Sequence, residues 1–531
     1  MNRADGTLQY RRLRAPKHHG ERLIDPPLEA APQIVLDNCE RAASREFDFH
    51  GRSFRELSQH ARSELLAAAA QYTRQYRDVE TGDADAAAPI VMSGHQPELF
   101  HPGVWFKNFV LDRLARKQAA CAIHLLIDND TCRTPSIRVP TGTIDAPRVE
   151  SIDYDERGDE MPFEERDLID PSRFNSFDHR ASKTISPFIS EPLLPSFWPF
   201  AVEAARQHRN LGRCLAQARH CQEAAWGLQT LELPLSHVCD GIAFRWFTLH
   251  ILSHLTQFKQ IHNAALLEYR QVNGVRSHSH PVPELVADGD WLEAPFWIWS
   301  SESKTRRRLF ARPVSEGVEI TDRERLRVTL PIAHGKPLDR AAEVLAEHSQ
   351  SGVKIRSRAL LTTMFARLFL CDLFIHGIGG AKYDELTDVI IDRFFGWKPP
   401  TFLIVTATAK LPIVRPSERP DALREMDRLL RELRFNPQRH VASNQDAEAL
   451  VAAKQRWIET PAHHGNLRER HLEIARINEA LQPHVQAKRN ELHARRATVL
   501  QQLRIEKVLG SREYSFCLFP IATLQSLLLD K

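Results

Sequence analysis

The sequence is short of everything that marks a membrane, secreted or nucleic-acid-binding protein. No stretch approaches the ~20 consecutive apolar residues that a membrane-spanning helix needs. Charge of one sign is also missing: 71 Lys and Arg against 68 Asp and Glu leave a net +3, whereas a nucleic-acid binder carries a basic excess or stripe. The two short basic runs, Tyr10–Arg14 and Lys304–Arg308, read as solvated faces rather than phosphate tracks. The eight cysteines are scattered, with no C-x-x-C pair and no Cys/His cluster at zinc spacing. Free thiols in a reducing compartment are the simplest reading. Residues Met1–Gly6 lack the apolar segment of a signal peptide, so the expected location is the cytoplasm. There is no G-x-S-x-G elbow, H-E-x-x-H helix, kinase set or P-loop. What remains is an ordinary globular composition, 42% hydrophobic and 26% charged, in a chain long enough for several domains.

Two strand–helix–strand units are present. Pro89–Met92 is a short apolar run that stops at a polar turn, Ser93-Gly94-His95-Gln96. A helix follows with Phe106, Val110 and Leu114 on one face, and the next strand, Ala122–Ile127, ends at Asp128-Asn129-Asp130. Far downstream, the strand Asp372–Ile375 meets His376-Gly377-Ile378-Gly379-Gly380, a helix covers about Lys382–Phe395, and a strand occupies Thr401–Thr406. Continuous apolar strands without alternation belong to a parallel sheet covered on both faces. The expected fold is therefore α/β: a Rossmann-like parallel sheet split by a long insertion.

The boundaries expected are 1–85, a mixed amino-terminal region with a helix at Ser53–Tyr76 and a linker at Thr81–Asp85; 86–135, the first half of the core; and 136–350, the insertion. Then come 351–415, the second half, and 416–531, a helical hairpin with a returning apolar tail. The insertion carries helices at Phe197–Trp226 and Ala243–Tyr269 and a β-subdomain around Trp291–Arg312. In the carboxyl region Leu467, Ile474 and Leu481, then Val485, Leu492 and Val499, recur every seven residues. Pro483 interrupts them, the pattern of a helical hairpin or short coiled coil.

In open parallel sheets ligands sit outside the carboxyl ends of the strands, so the polar tips of these units are the candidate site. Ser93, Gly94, His95 and Gln96 offer amides, a hydroxyl, an imidazole and a carboxamide at a helix start, where an anion is favoured. His95 also suits acid/base work near neutral pH; capping the next turn is its plain structural reading. Asp128 and Asp130 could hold an ammonium group or Mg²⁺, or cap a helix. His376, Gly377, Gly379, Gly380, Lys382, Tyr383 and Asp384 form a glycine-rich turn with Lys382 at the third glycine position of a dinucleotide motif. Arg356 and Arg358 are either a bidentate anion clamp or a solvated pair at a helix start. ATP or ADP with Mg²⁺ is the candidate cofactor, though the sequence fixes none.

These segments together resemble the bacillithiol-synthesis cysteine-adding enzymes, the BshC family. Ser93-Gly94-His95-Gln96-Pro97-Glu98-Leu99 is similar to the family's Thr-Gly-Gln-Gln-x-Gly-Leu loop, and Asp128-Asn129-Asp130 to its Glu-Asp-His-Asp stretch. Tyr269-Arg270 with His280-Pro281-Val282-Pro283 is similar to its Tyr-Arg…His-Pro-x-Pro segment, and Gly379-Gly380 to the start of Gly-Gly-Pro-x-Glu-x-x-Tyr. The resemblance implies a nucleotidyltransferase-type core, a carboxyl-terminal coiled-coil hairpin, a homodimer, and a ligase joining cysteine to an amino-sugar conjugate. It would place His95 and Gln96 at the reacting carboxyl and Asp128 or Asp130 at an ammonium or metal. The alternatives are a non-catalytic relative acting in binding and association, or a nucleotidyltransferase-like enzyme.

Overall fold

In the computed structural model, residues 13–79, 88–333, 336–415, 420–441 and 445–529 are described. Tyr10–Arg12 of the first basic run and the Thr81–Asp85 linker lie outside them. The chain divides into two units, one of residues 1–139, 151–410 and 512–531, the other of 140–150 and 411–511.

The main sheet of the larger unit has strands β1 (Arg22–Asp25), β2 (Ile90–His95), β3 (Cys121–Leu126), β4 (Leu231–Pro234), β5 (Leu373–His376) and β6 (Leu403–Ala407). Their order is β1-β6-β5-β2-β3-β4. β2 to β6 run parallel, and β1 lies antiparallel on β6. The helices used below are α1 (Phe54–Thr73), α2 (Pro102–Lys117), α3 (Leu211–Ala225), α4 (Ile242–Ser253) and α5 (Ile378–Phe395).

Local chemistry explains the helix starts. Ser53 Oγ accepts the Glu56 N–H at 3.2 Å to open α1, half of a capping box. His101 Nδ1 accepts the Gly103 N–H at 3.1 Å and Pro102 fills the first helical position of α2. A Cβ on Gly103 would stand 2.1 Å from the Ala407 carbonyl, so only glycine lets α2 lie this close to β6. Phe106, Val110 and Leu114 of α2 are buried as the periodicity predicts. The carboxyl-terminal segment packs on this unit: Phe516 donates its N–H to the Phe100 carbonyl at 2.8 Å and lies against Trp105.

The sheet grows from β2 to β3 and β4 on one side, then returns to β5 and β6 on the other. The direction of growth therefore reverses between β2 and β5, where crevices form in open α/β sheets.

The structure differs from the sequence reading in several places. β2 continues through His95, so Ser93, Gly94 and His95 are strand residues rather than a loop. Ser93 pairs with both Ile375 and His124, because a strand between two parallel neighbours must satisfy its backbone on both edges whatever its side chains. α5 begins at Ile378, so Gly379 and Gly380 lie in its first turn rather than in a turn ahead of a helix starting near Lys382. Leu231–Pro234, assigned to the insertion, is the third strand of the sheet's β2-β3-β4 half; Glu232 breaks its apolar run. Arg22–Asp25 is a strand in the amino-terminal region. The expected Phe197–Trp226 and Ala243–Tyr269 helices each form two, the first broken where Asn210 caps Arg213 and the second at His254.

A second, antiparallel sheet orders Arg327–Leu330, Gly317–Thr321, Arg307–Val314, Trp291–Ser300 and Val353–Ser357 side by side. Trp291, Phe296, Ile298 and Trp299 are buried in it, as a β-subdomain core requires, while Trp297 is half-buried. The smaller unit contains helices Pro420–Phe435, Gln445–Glu459, Leu467–Ala480 and Gln482–Leu509. The last two were expected to pair with each other. Instead Gln482–Leu509 runs antiparallel to Pro420–Phe435, with Gln482 on the Leu433 carbonyl and Arg496 on Asp427. Leu467–Ala480 packs on Gln445–Glu459 through Ile477, Leu481 and Ala447. No described helix is long and apolar enough to cross a membrane.

Candidate functional site

The strand order brings the three sequence-predicted tips to one edge of the sheet. Ile375 of β5 pairs with Ser93 of β2, and Ser93 with His124 of β3. Adjacent strands lie about 4.8 Å apart, so the ends of β5 and β3 flank β2 within about 10 Å of each other.

At their centre stands a residue the sequence reading missed. Lys107, on α2, is 4% exposed, and its Nζ donates to the Gly94 carbonyl at 2.9 Å. No carboxylate within ion-pair distance of it is found among the described residues. Burial first, then the Arg219 charge, push its pKa down to about 7. Its Cδ is the one atom within 4 Å of a Cβ built on Gly377, and a Cβ on Gly379 would meet nothing. Lys107 thus looks onto the start of α5, where Gly377 supplies no side-chain cap. The free amides of a helix start and an ammonium group without a carboxylate together make an anion site.

His95 is buried behind this point. Its Nδ1 lies 2.9 Å from the Gln96 carbonyl, its ring packs on Phe100 and His124, and its Nε2 has no described partner. Burial, then His124 and Lys107, hold its pKa well below the ordinary histidine value. It is a neutral imidazole, suited to hydrogen bonding and not to carrying charge. His124 hangs from a closed polar network: its Nδ1 meets Glu232 at 2.9 Å, Glu232 bonds Arg219, and Arg219 bonds both oxygens of Glu223 at 2.9 Å. Glu223 also accepts from Trp105 Nε1 at 2.6 Å and Asn108 Nδ2 at 2.7 Å. The signal for these groups was a charged or imidazole residue inside an apolar element: Lys107-Asn108 in α2, His124 in β3 and Glu232 in β4.

The carboxylates are committed elsewhere. Asp128 Oδ1 accepts the Ser236 N–H at 3.0 Å and Oδ2 the Ser236 hydroxyl at 2.5 Å. Burial and the Glu164 charge raise its pKa to about 7. Asp130 accepts from Gln96 Nε2 at 3.0 Å, Arg306 Nη1 at 3.1 Å and the Thr131 N–H at 2.8 Å. So Gln96 and Asp130 do meet, but they satisfy each other. Each carboxylate is thus already held by protein donors, Asp128 by two and Asp130 by three.

His376 and Asp384 are also taken up by protein groups. His376 Nε2 lies 2.6 Å from Asp384 Oδ2, and Asp384 bonds Arg367 at 2.9 Å and Thr363 at 2.5 Å. The His376 and Arg367 charges hold the Asp384 carboxyl well below its usual range, against the pull of burial. Gly380 is needed because a Cβ there would stand 2.7 Å from His376 Nδ1. Lys382 and Tyr383 are half-buried on α5, with Tyr383 against His280.

Arg356 and Arg358 are neither a clamp nor a solvated pair. Arg356 sits in the second sheet, buried between Glu164 at 2.7 Å and Asp240 at 2.8 Å. Arg358 pairs with Glu293 at 2.7 Å and, with Arg306, stacks on Trp297, both guanidinium carbons 4.4 Å from the ring centre. Of the basic run Lys304–Arg308, Arg307 and Arg308 likewise pair with Glu324 and Glu293. Two apolar clefts, one around Phe244 and Ile320 and one around Leu65 and Phe365, are not lined by the strand-end residues. Compared with known proteins, the chain matches no family model and no curated protein.

Proposed function

We propose that the reversal point between β2 and β5 is a small-molecule site whose anchor is Lys107 with the first turn of α5, and that it takes a phosphate or carboxylate. The single observation that carries this is the buried lysine whose partner, among the described residues, is a backbone carbonyl. Holding an ammonium group there without a counter-charge costs stability, and a bound anion would relieve that cost.

Within this reading the chain is a cytoplasmic ligase-type enzyme that joins an amino acid to an amine-bearing acceptor. The order β4-β3-β2-β5-β6 supports a Rossmann-like core of nucleotidyltransferase type, and the antiparallel helices of the smaller unit support a coiled-coil-like hairpin that would serve a homodimer. Amide formation from a carboxylate and an amine needs activation, which ATP would supply when bound. This chain's residues hold the anionic group on Lys107 and the amides of Gly377–Gly380. His95 offers a neutral imidazole beside it, and the packing of Phe100 and His124 excludes water.

A second reading, a non-catalytic binding protein, is favoured by the internal pairing of Asp128, Asp130, Asp384, Arg356 and Arg358. Thermal-shift titration with ATP, ADP, cysteine and amino-sugar conjugates, followed by assay of amide product, separates the readings. Stabilisation at millimolar ligand that Lys107→Met abolishes, with turnover, supports the ligase. Binding without turnover supports the second reading, and no stabilisation by any of them overturns both.

A further inference from the structure

Far from the strand ends, three histidines converge with no carboxylate among them. His250 and His254 are one helical turn apart at the carboxyl end of α4, and His50 comes in from the loop ahead of α1. One ring nitrogen from each lies within 4.8 Å of the other two. The ring centres are 5.6, 5.3 and 4.6 Å apart for the pairs His50–His250, His50–His254 and His250–His254.

His250 is 5% exposed, and its Nδ1 has no hydrogen-bond partner among the described residues. A buried, unsatisfied imidazole nitrogen costs stability unless something outside the protein completes it. Phe47, Phe49 and Phe395 fix its ring at centre distances of 5.2, 4.8 and 5.8 Å. His254 Nδ1 lies 3.0 Å from the His250 carbonyl, which can only accept. That fixes the proton on Nδ1 and leaves the Nε2 lone pair free, the tautomer arrangement common in metal-bound histidine. The Ser253 hydroxyl bridges His254 Nδ1 at 3.0 Å and His50 Nε2 at 3.3 Å, tying the two outer rings together.

We propose that His50, His250 and His254 form a binding site for a borderline divalent transition metal, with zinc the first candidate. Zinc holds imidazole nitrogens at about 2.0–2.1 Å in tetrahedral geometry, which sets them about 3.3–3.4 Å apart. The observed cluster reaches that by closing up to about 1.5 Å, within the range of side-chain torsions. Three protein ligands leave the fourth position to water on the side of the half-buried His50 and His254. The all-imidazole set favours zinc, copper or nickel over magnesium or calcium. The site is independent of the strand-end proposal. His250 packs on Phe394 and Phe395 at the far end of α5 from Gly377, about 27 Å along an 18-residue helix.

The test uses the full chain stripped with chelator, then titrated with Zn²⁺ against a chromophoric competitor, and with Co²⁺ while visible absorption is recorded. One equivalent of zinc should bind, and Co²⁺ should give tetrahedral d–d bands without a thiolate charge-transfer band. His50→Gln and His254→Gln should each weaken zinc binding by more than the ~100-fold typical of changes outside the ligand set. His463→Gln, an exposed histidine of the smaller unit, should leave it unchanged. Should the variants fail to fold, the cobalt spectrum and metal-induced imidazole ¹⁵N shifts of the unaltered chain still decide. No stoichiometric uptake, equal affinity in the folded variants, or a thiolate band would overturn the site.

Discussion

Replacing Lys107 with methionine should make the protein more stable while removing its anion site. The side chain is buried and its pKa falls from 10.5 to about 7. At about 1.36 kcal/mol per unit, that fall corresponds to a folding penalty of about 4–5 kcal/mol on the protonated form. Methionine keeps the volume, removes the penalty, and forfeits the 2.9 Å bond to the Gly94 carbonyl, a loss of about 1–3 kcal/mol for a buried acceptor. The net expectation near pH 7 is a gain of about 1–4 kcal/mol. The sign with pH follows from proton binding. Between pH 7 and 10.5 the unfolded chain holds a proton on this amine that the folded chain does not. Stability of the unaltered protein therefore rises through that window by up to about 1.4 kcal/mol per unit. The variant lacks this rise, so its advantage shrinks as pH increases and is gone by about pH 10. Denaturant unfolding at a series of pH values measures both arms. A variant less stable at pH 7, or an advantage that does not change with pH, would refute the reasoning.

Four further substitutions probe the surroundings. Gly380→Ala should destabilise by about 1–3 kcal/mol, since its Cβ meets His376 Nδ1 at 2.7 Å, whereas Gly379→Ala, with open space around it, should gain up to about 1 kcal/mol; equal effects in calorimetry would contradict the geometry. Glu232→Gln should cost about 1–3 kcal/mol because it weakens the buried bonds to Arg219 and His124 while Arg219 keeps Glu223, and no loss in urea unfolding would show the network to be unimportant. Asp128 has a folded pKa raised from 3.8 to about 7, so its contribution is fully present below about pH 4 and lost as pH rises towards 7. Asp128→Asn should flatten stability against pH over that window, and an unchanged slope would count against the raised pKa.

Much of the larger unit was legible in the sequence because its signals are local. The apolar runs at Ile90–Met92 and Leu403–Val405, the periodic face of α2 and the Ser53 cap each follow from a few adjacent residues. The strand ends were found by the same route, and their convergence follows from parallel pairing of β5, β2 and β3. Hydrogen-bond commitments between distant segments were not legible. Nothing near Asp130 announces Arg306, and nothing near Arg356 announces Glu164 and Asp240, so groups that looked free for ligand are occupied by one another. Glu232 hid β4 because a charged residue in a four-residue run looks like a loop until Arg219 and His124 are seen against it. Lys107 was passed over because a lysine on an amphipathic helix is ordinarily on the solvent face, and only tertiary packing closes over it. Of the positions in the seven-residue recurrence, Leu481, Val485 and Val499 are buried, Ile474 and Leu492 are half-buried and Leu467 is exposed, and the recurrence could not say which helix covers them.

The most direct measurement is a titration of Lys107 itself, by the chemical shift of its ¹³Cε in lysine-labelled protein, assigned with the methionine variant. The account predicts a midpoint near 7 that moves upward when ATP or inorganic pyrophosphate is added, because a bound anion favours the charged amine. A midpoint near the ordinary lysine value, or one that ignores both anions, would contradict it.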